Sequence, residues 1–169
     1  MRKSRRQALH RRAGELLRDD PELAAAEPEV IAHHFTQAGL DDFAIEWWGK
    51  AGDQALRRSA FQEAIAHLGK AIAMADKAGE MSRRAPGRMA AVSQRLPQLH
   101  ASYGNALIAA RGQAAPETTQ AFARAGESAY GDKDAPERLA ADYGLWVGKL
   151  HARRIAVDAR ARGGLPQRR

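Results

Sequence analysis

The sequence predicts an all-α protein, built of antiparallel helical hairpins stacked as a short solenoid. Three observations predict it. Alanine is prominent among the apolar residues, which make up 44% of the 169, while aromatics make up only 6%. Such a composition favours helix. No run of alternating Val, Ile, Thr or aromatic residues argues for a strand. Several short helical segments follow one another with turns of a few residues, and such neighbours pack antiparallel.

The elements follow in order. Ala8, Leu9, Ala13, Leu16 and Leu17 lie near helical spacing and predict a first helix over about 4–17. The stretch "RDDPELAAAEPE" breaks it, with Asp20-Pro21 and Glu27-Pro28 as helix-start signatures. A second helix over about 28–38 stops at Gly39. Asp41 or Asp42 is expected to cap a third, about 42–57, and Ser59 a fourth, about 60–78. "EMSRRAPGR" reads as a polar connector. The fifth helix, about 88–110, contains Pro97, where a kink or break is expected. Pro116 opens a sixth, about 116–130, and Pro136 a seventh, about 136–150.

Repeats explain the spacing of small residues. The tetratricopeptide pattern needs small side chains where two helices approach and large apolar ones between hairpins. Over residues 45–78, Trp48 takes the early tryptophan position, and Ala51 and Gly52 the Leu-Gly position. Ala55 takes the tyrosine position and Phe61 the aromatic after the turn. Ala64, Leu68 and Ala71 line the second helix. The preceding segment fits as well, with Ala32, Gly39, Ala44 and Trp48. The helix 42–57 therefore reads as the second helix of one hairpin or the first of the next, as stacking allows. Gly104, Leu107, Gly112, Ala121 and Phe122 fit more loosely. The fold expected is a short tetratricopeptide-like solenoid over 19–150, preceded by a basic helix over 1–18. A basic, disordered tail is expected over 151–169.

Charge does not single out nucleic acid. The net charge is +7, but residues 1–18 and 149–169 each carry +6 and the body between them −5. Basic ends are commonly solvated, so nucleic-acid binding is the secondary reading. There is no cysteine, which excludes disulfides and Cys-rich zinc sites. No apolar run suits a membrane span or a secretory signal. A cytoplasmic protein is expected.

No pattern of residues supports catalysis, a cofactor or a metal. G-x-x-x-x-G-K-[ST] is absent. Ser102 lacks a nucleophile elbow. Asp19-Asp20 and Asp41-Asp42 stand at helix starts, where capping explains them. Glu29 and His33 have a ligand-pair spacing, but H-E-x-x-H and a third ligand are absent. His33 and His34 point about 100° apart, which suits one packed at a hairpin and one exposed. His10, His67, His100 and His151 stand alone. By the same rotation, Trp48 is expected in the core. Trp47 is expected against a neighbouring helix or at a partner surface. A helical-repeat groove would present polar side chains from 33–37 and 50–57. The candidate partner-binding set is therefore Trp47, His34, Gln37, Lys50, Gln54 and Arg57, with Lys50 and Arg57 suited to a carboxylate.

The run "IAHHFTQAGLDDFAIEWWGKAGDQALRRSAFQEAIAHLGKAI" resembles the start of the helical-repeat region in large bacterial STAND-type signalling ATPases. "YGNALIAARGQAAPETTQAFARA" and "APERLAADYGLWVGK" resemble the same region, so that the likeness spans about 5–149. "RRQALHRRAGELL" is similar to the last helix of the winged-helix part before it. In that family a cyclase-like or LuxR-type DNA-binding domain precedes the ATPase. Beyond Lys149 the likeness stops. The resemblance implies a non-catalytic interaction or regulatory module, truncated relative to the family. Its partner would be a protein or peptide, such as an ATPase or cyclase module or a second copy. The alternatives are a basic-tailed nucleic-acid-binding protein and a remnant without independent function.

Overall fold

A computed structural model describes residues 2–82, 90–128, 142, 144–146, 149 and 153. Among the described residues the regular elements are all α-helices. They are α1 (Arg2–Asp19), α2 (Pro21–Ala26), α3 (Pro28–Ala38), α4 (Asp41–Arg57), α5 (Phe61–Ser82), α6 (Ala90–Arg111) and α7 (Pro116–Ser128). The all-α expectation is met. The expected helix over 136–150 and the tail over 151–169 lie outside the described residues, save for the few positions given above. So does most of the connector, although its first residues, Glu80 to Ser82, continue α5.

Each helix from α3 onward packs against the next in sequence, and α1 packs against α3. The basic N-terminal helix is thus applied to the body. Of the expected large apolar residues of α1, Leu17 alone packs against the core cluster, partly buried. Gly14 is buried with the Phe35 ring close against it, while Leu9 and Leu16 are exposed.

The helix ends obey local chemistry, with two departures from expectation. Asp20 caps as predicted, its carboxylate accepting from the N–H groups of Glu22 (3.0 Å) and Leu23 (3.1 Å). What it starts is the short α2, in a stretch the sequence suggested was only a break. Neither Asp41 nor Asp42 caps α4. Leu40 stands at that position, without a side-chain cap, and both aspartates fall in the first turn. There their charge still complements the helix dipole. Ser59 does not cap α5 either. It follows α4 in a left-handed conformation, φ 59°.

That conformation makes two successive joints alike. After α3, Gly39 (φ 73°) donates to Thr36 O and Leu40 N donates to Phe35 O at 3.0 Å. After α4, Ser59 N donates to Leu56 O and Ala60 N to Ala55 O, both at 2.9 Å. Both are the paired C-terminal bonds that satisfy the last carbonyls of a helix. The packing faces repeat in step with the joints. Ala44, Trp48, Ala51 and Ala55 on α4 correspond in order to Ala64, Leu68, Ala71 and Ala75 on α5, and all eight are buried.

Close approach explains the small residues. A Cβ on Gly52 would fall inside the Leu68 side chain, and one on Gly104 would lie 2.8 Å from the Phe122 ring. Phe122 and Ala125 form a second, smaller cluster with Ile108 and Leu145. The main cluster joins α3, α4, α5 and α6. α6 runs through Pro97 without a break, although proline removes one helical hydrogen bond.

Gly52→Ala is expected to cost about 1–3 kcal/mol by overpacking. Gly69→Ala, whose Cβ would meet Tyr103 at an ordinary 3.8 Å, should gain about 0.5–1 kcal/mol. Urea unfolding of the two variants measures the contrast. Ser59→Gly removes a left-handed non-glycine residue and should stabilise by up to about 1 kcal/mol. A fall in its thermal midpoint would contradict the Ser59 conformation.

Candidate functional site

Trp48 fastens three helices. Its indole N–H donates to Thr36 Oγ1 on α3 at 3.0 Å, and that hydroxyl donates to Ala32 O at 2.8 Å. A buried indole needs such a partner. The ring stacks on His67 of α5, with centroids 5.3 Å apart, and Lys70 Nζ lies 4.2 Å from its centroid. Trp48 is 6% exposed and Trp47 5%. Adjacent tryptophans can both be buried because α4 has neighbours in several directions, α3, α5 and α6. Trp47 therefore belongs to the core cluster, and its ring is no open platform.

Lys50 lies over that ring, with Nζ 4.0 Å from the centroid. It also pairs with Glu46 at 2.9 Å. Glu46 reaches across to α6, where Arg95 approaches its other carboxylate oxygen at 3.1 Å. These residues edge a groove of about 290 Å³ between α4 and α6, with Asp53, Gln98 and Ser102 also on its walls. Gly49 keeps α4 low here, since a Cβ would lie 2.9 Å from Leu99. Partial burial would raise the Glu46 carboxyl. The hydrogen bond and charge of Lys50, with Arg95 adding to both, outweigh burial and hold its pKa below the usual value.

The six sequence-predicted residues do not converge. Lys50, with Trp47 beneath it, belongs to the α4–α6 groove. Gln54 instead ties α2 to α4, its Nε2 donating to Ala25 O at 2.8 Å, while its Oε1 is buried without a partner. Gln37 and Arg57 are exposed. His34 is half-buried on α3, and its Nδ1 lies 3.0 Å from Nδ1 of His10 on α1. His10 is not isolated, contrary to the expectation. Burial, and then the neighbouring His10 and His33, push the His34 pKa down. His67 is not isolated either. His67 stacks on Trp48, and His100, 4% exposed, lies in a second groove of about 300 Å³ among α5, α6 and α7.

Glu46 and Arg95 were the residues sequence reasoning missed. The Glu46–Lys50 spacing was visible, being the favourable i,i+4 order. Arg95 had no local signal, because its partner lies one whole hairpin away. Among the described residues no group of three or more His, Cys, Asp or Glu is placed to hold a metal ion, and no helix is long and apolar enough to cross a membrane. Compared with known proteins, the chain matches no family model, no curated protein and no solved structure.

A carboxylate with a lowered pKa stabilises the fold above its unfolded pKa, and that contribution is lost as pH falls through the folded value. Glu46→Gln should therefore cost up to about 1 kcal/mol at pH 7. The difference from the parent chain should vanish well below pH 4.5, the ordinary value for this group. Urea midpoints of both chains across pH 3–7 check this. A gap that persists at the acid end would remove the ionised Glu46 as its cause.

Proposed function

We propose that this chain is a non-catalytic helical-repeat module that binds a protein or peptide partner along the α4–α6 groove. The observation that carries this reading is the groove's edge. Glu46, Lys50 and Arg95 form a linked set of charges of both signs, half open to water, along a groove whose walls also carry Gly49 and Leu99. Such a surface suits an extended segment carrying carboxylates, which Lys50 and Arg95 would pair, more than a small molecule, which favours an enclosed apolar pocket. On this reading the hairpins stack as in tetratricopeptide-like arrays, with α4 and α6 as successive inner helices. The like joints after α3 and α4 support that arrangement. The resemblance of 31–72 to the repeat region of STAND-type signalling ATPases suggests a place in bacterial cyclase-type or LuxR-type regulation. An ATPase module would then be the partner, and the cytoplasm the compartment.

Calorimetric titration with a separately expressed ATPase module of that type tests the proposal. Binding should be lost in the double variant Lys50→Glu/Arg95→Glu and kept in Lys77→Glu, an exposed change elsewhere on α5. Binding that ignores the double variant would remove the groove from consideration. DNA affinity that falls steeply with salt and needs residues 1–12 or 151–169 would favour the basic ends instead.

A further inference from the structure

The contact between His10 and His34 lies apart from the groove. The two imidazoles come from different helices, α1 and α3, and present Nδ1 to Nδ1 at 3.0 Å. Their ring centroids are 5.1 Å apart and the planes tilted by 46°. Both rings are half-buried. Two imidazole nitrogens at ~2.1 Å from one cation are about 3.0 Å apart at a right angle and about 3.4 Å apart at the tetrahedral angle. At this distance the two nitrogens share a hydrogen bond, one donating and the other accepting according to tautomer; with both ring protons on Nε2 instead, the same separation matches two neighbouring corners of a square-planar or octahedral site.

We propose that His10 and His34 form a two-nitrogen clip for a divalent transition metal ion, with water completing its coordination. Cu(II) fits best and Ni(II) next, because imidazole and near-right angles suit both and affinity peaks at copper. Oxygen-seeking Mg(II) does not fit. α1 carries seven Lys and Arg against Glu15 and Asp19, so a cation gains no general attraction there and must be held by coordination. The consequence is mechanical. α1 rests on α3, with the Phe35 ring against Gly14, and its Leu17 packs partly buried on the core. A metal bridging His10 and His34 would pin it. Only the neutral rings coordinate.

The test is thermal unfolding of the full chain, without an affinity tag, at pH 7.5 with Cu(II), Ni(II) or Mg(II). The expected result is a rise in Tm of about 3 °C or more with Cu(II), less with Ni(II) and none with Mg(II). The rise should vanish in His10→Gln and His34→Gln and persist in His33→Gln, whose ring is exposed beside the pair. No rise in the parent chain, or a rise unchanged in His10→Gln, would overturn the clip. Loss in His33→Gln as well would overturn the two-residue assignment. Electron paramagnetic resonance of the Cu(II)-loaded parent chain makes the same decision without variants. Hyperfine structure from two nitrogens supports the clip, and from fewer than two refutes it.

Discussion

α4 is packed on more sides than any single stripe of a helix can serve, and the rest of the fold depends on how it manages this. An ordinary surface helix buries one face and wets the other. α4 meets α3, α5 and α6 together. It can do so because its contact positions alternate between nearly nothing and a great deal. Gly49 and Gly52 let Leu99 and Leu68 come down onto the backbone, while Trp47 and Trp48 fill the space on either side. A helix with medium-sized residues throughout would hold its neighbours off at one distance and leave voids at the corners. The interior is close-packed only if each intrusion meets a hollow.

Around the two tryptophans of α4, polar side chains gather where this packing has edges. Thr36 satisfies the buried indole of Trp48 and is itself tied to the α3 backbone. Lys50 and Lys70 lay their ammonium groups over the two tryptophan rings, an arrangement that keeps the charge wet and the ring covered. Glu46 then links Lys50 to Arg95. The charged rim between α4 and α6 thus meets the core at one residue, Lys50, which lies over Trp47 and pairs with Glu46.

What the sequence made legible was what short-range chemistry decides. The Asp20 cap, the left-handed Gly39, the proline starts at 28 and 116 and the small positions at Gly52, Ala64 and Ala71 all follow from spacing and residue type. The errors share one cause as well. Ser59 and Asp41 carry good capping side chains, and their roles were decided by how the preceding helix ended rather than by their own preference. A serine in the left-handed region is rare enough that sequence alone favours the cap. The pairing of His10 with His34, and of Glu46 with Arg95, depends on helices that meet only after folding. No periodicity within one helix reports either.

The stacked pair of Trp48 and His67 has an optical consequence. An imidazolium quenches indole emission far better than a neutral imidazole does. Burial, and then the charge of Lys70, favour the neutral ring of His67 despite Glu29 and Glu63, so at neutral pH the pair should be bright. Trp47 and Trp48 emit from an apolar interior, whereas Trp146 is 61% exposed and emits further to the red. Protonation of His67 should then dim the blue side of the spectrum. A proton reaching His67, between α4 and α5, would then register as a loss of Trp48 emission.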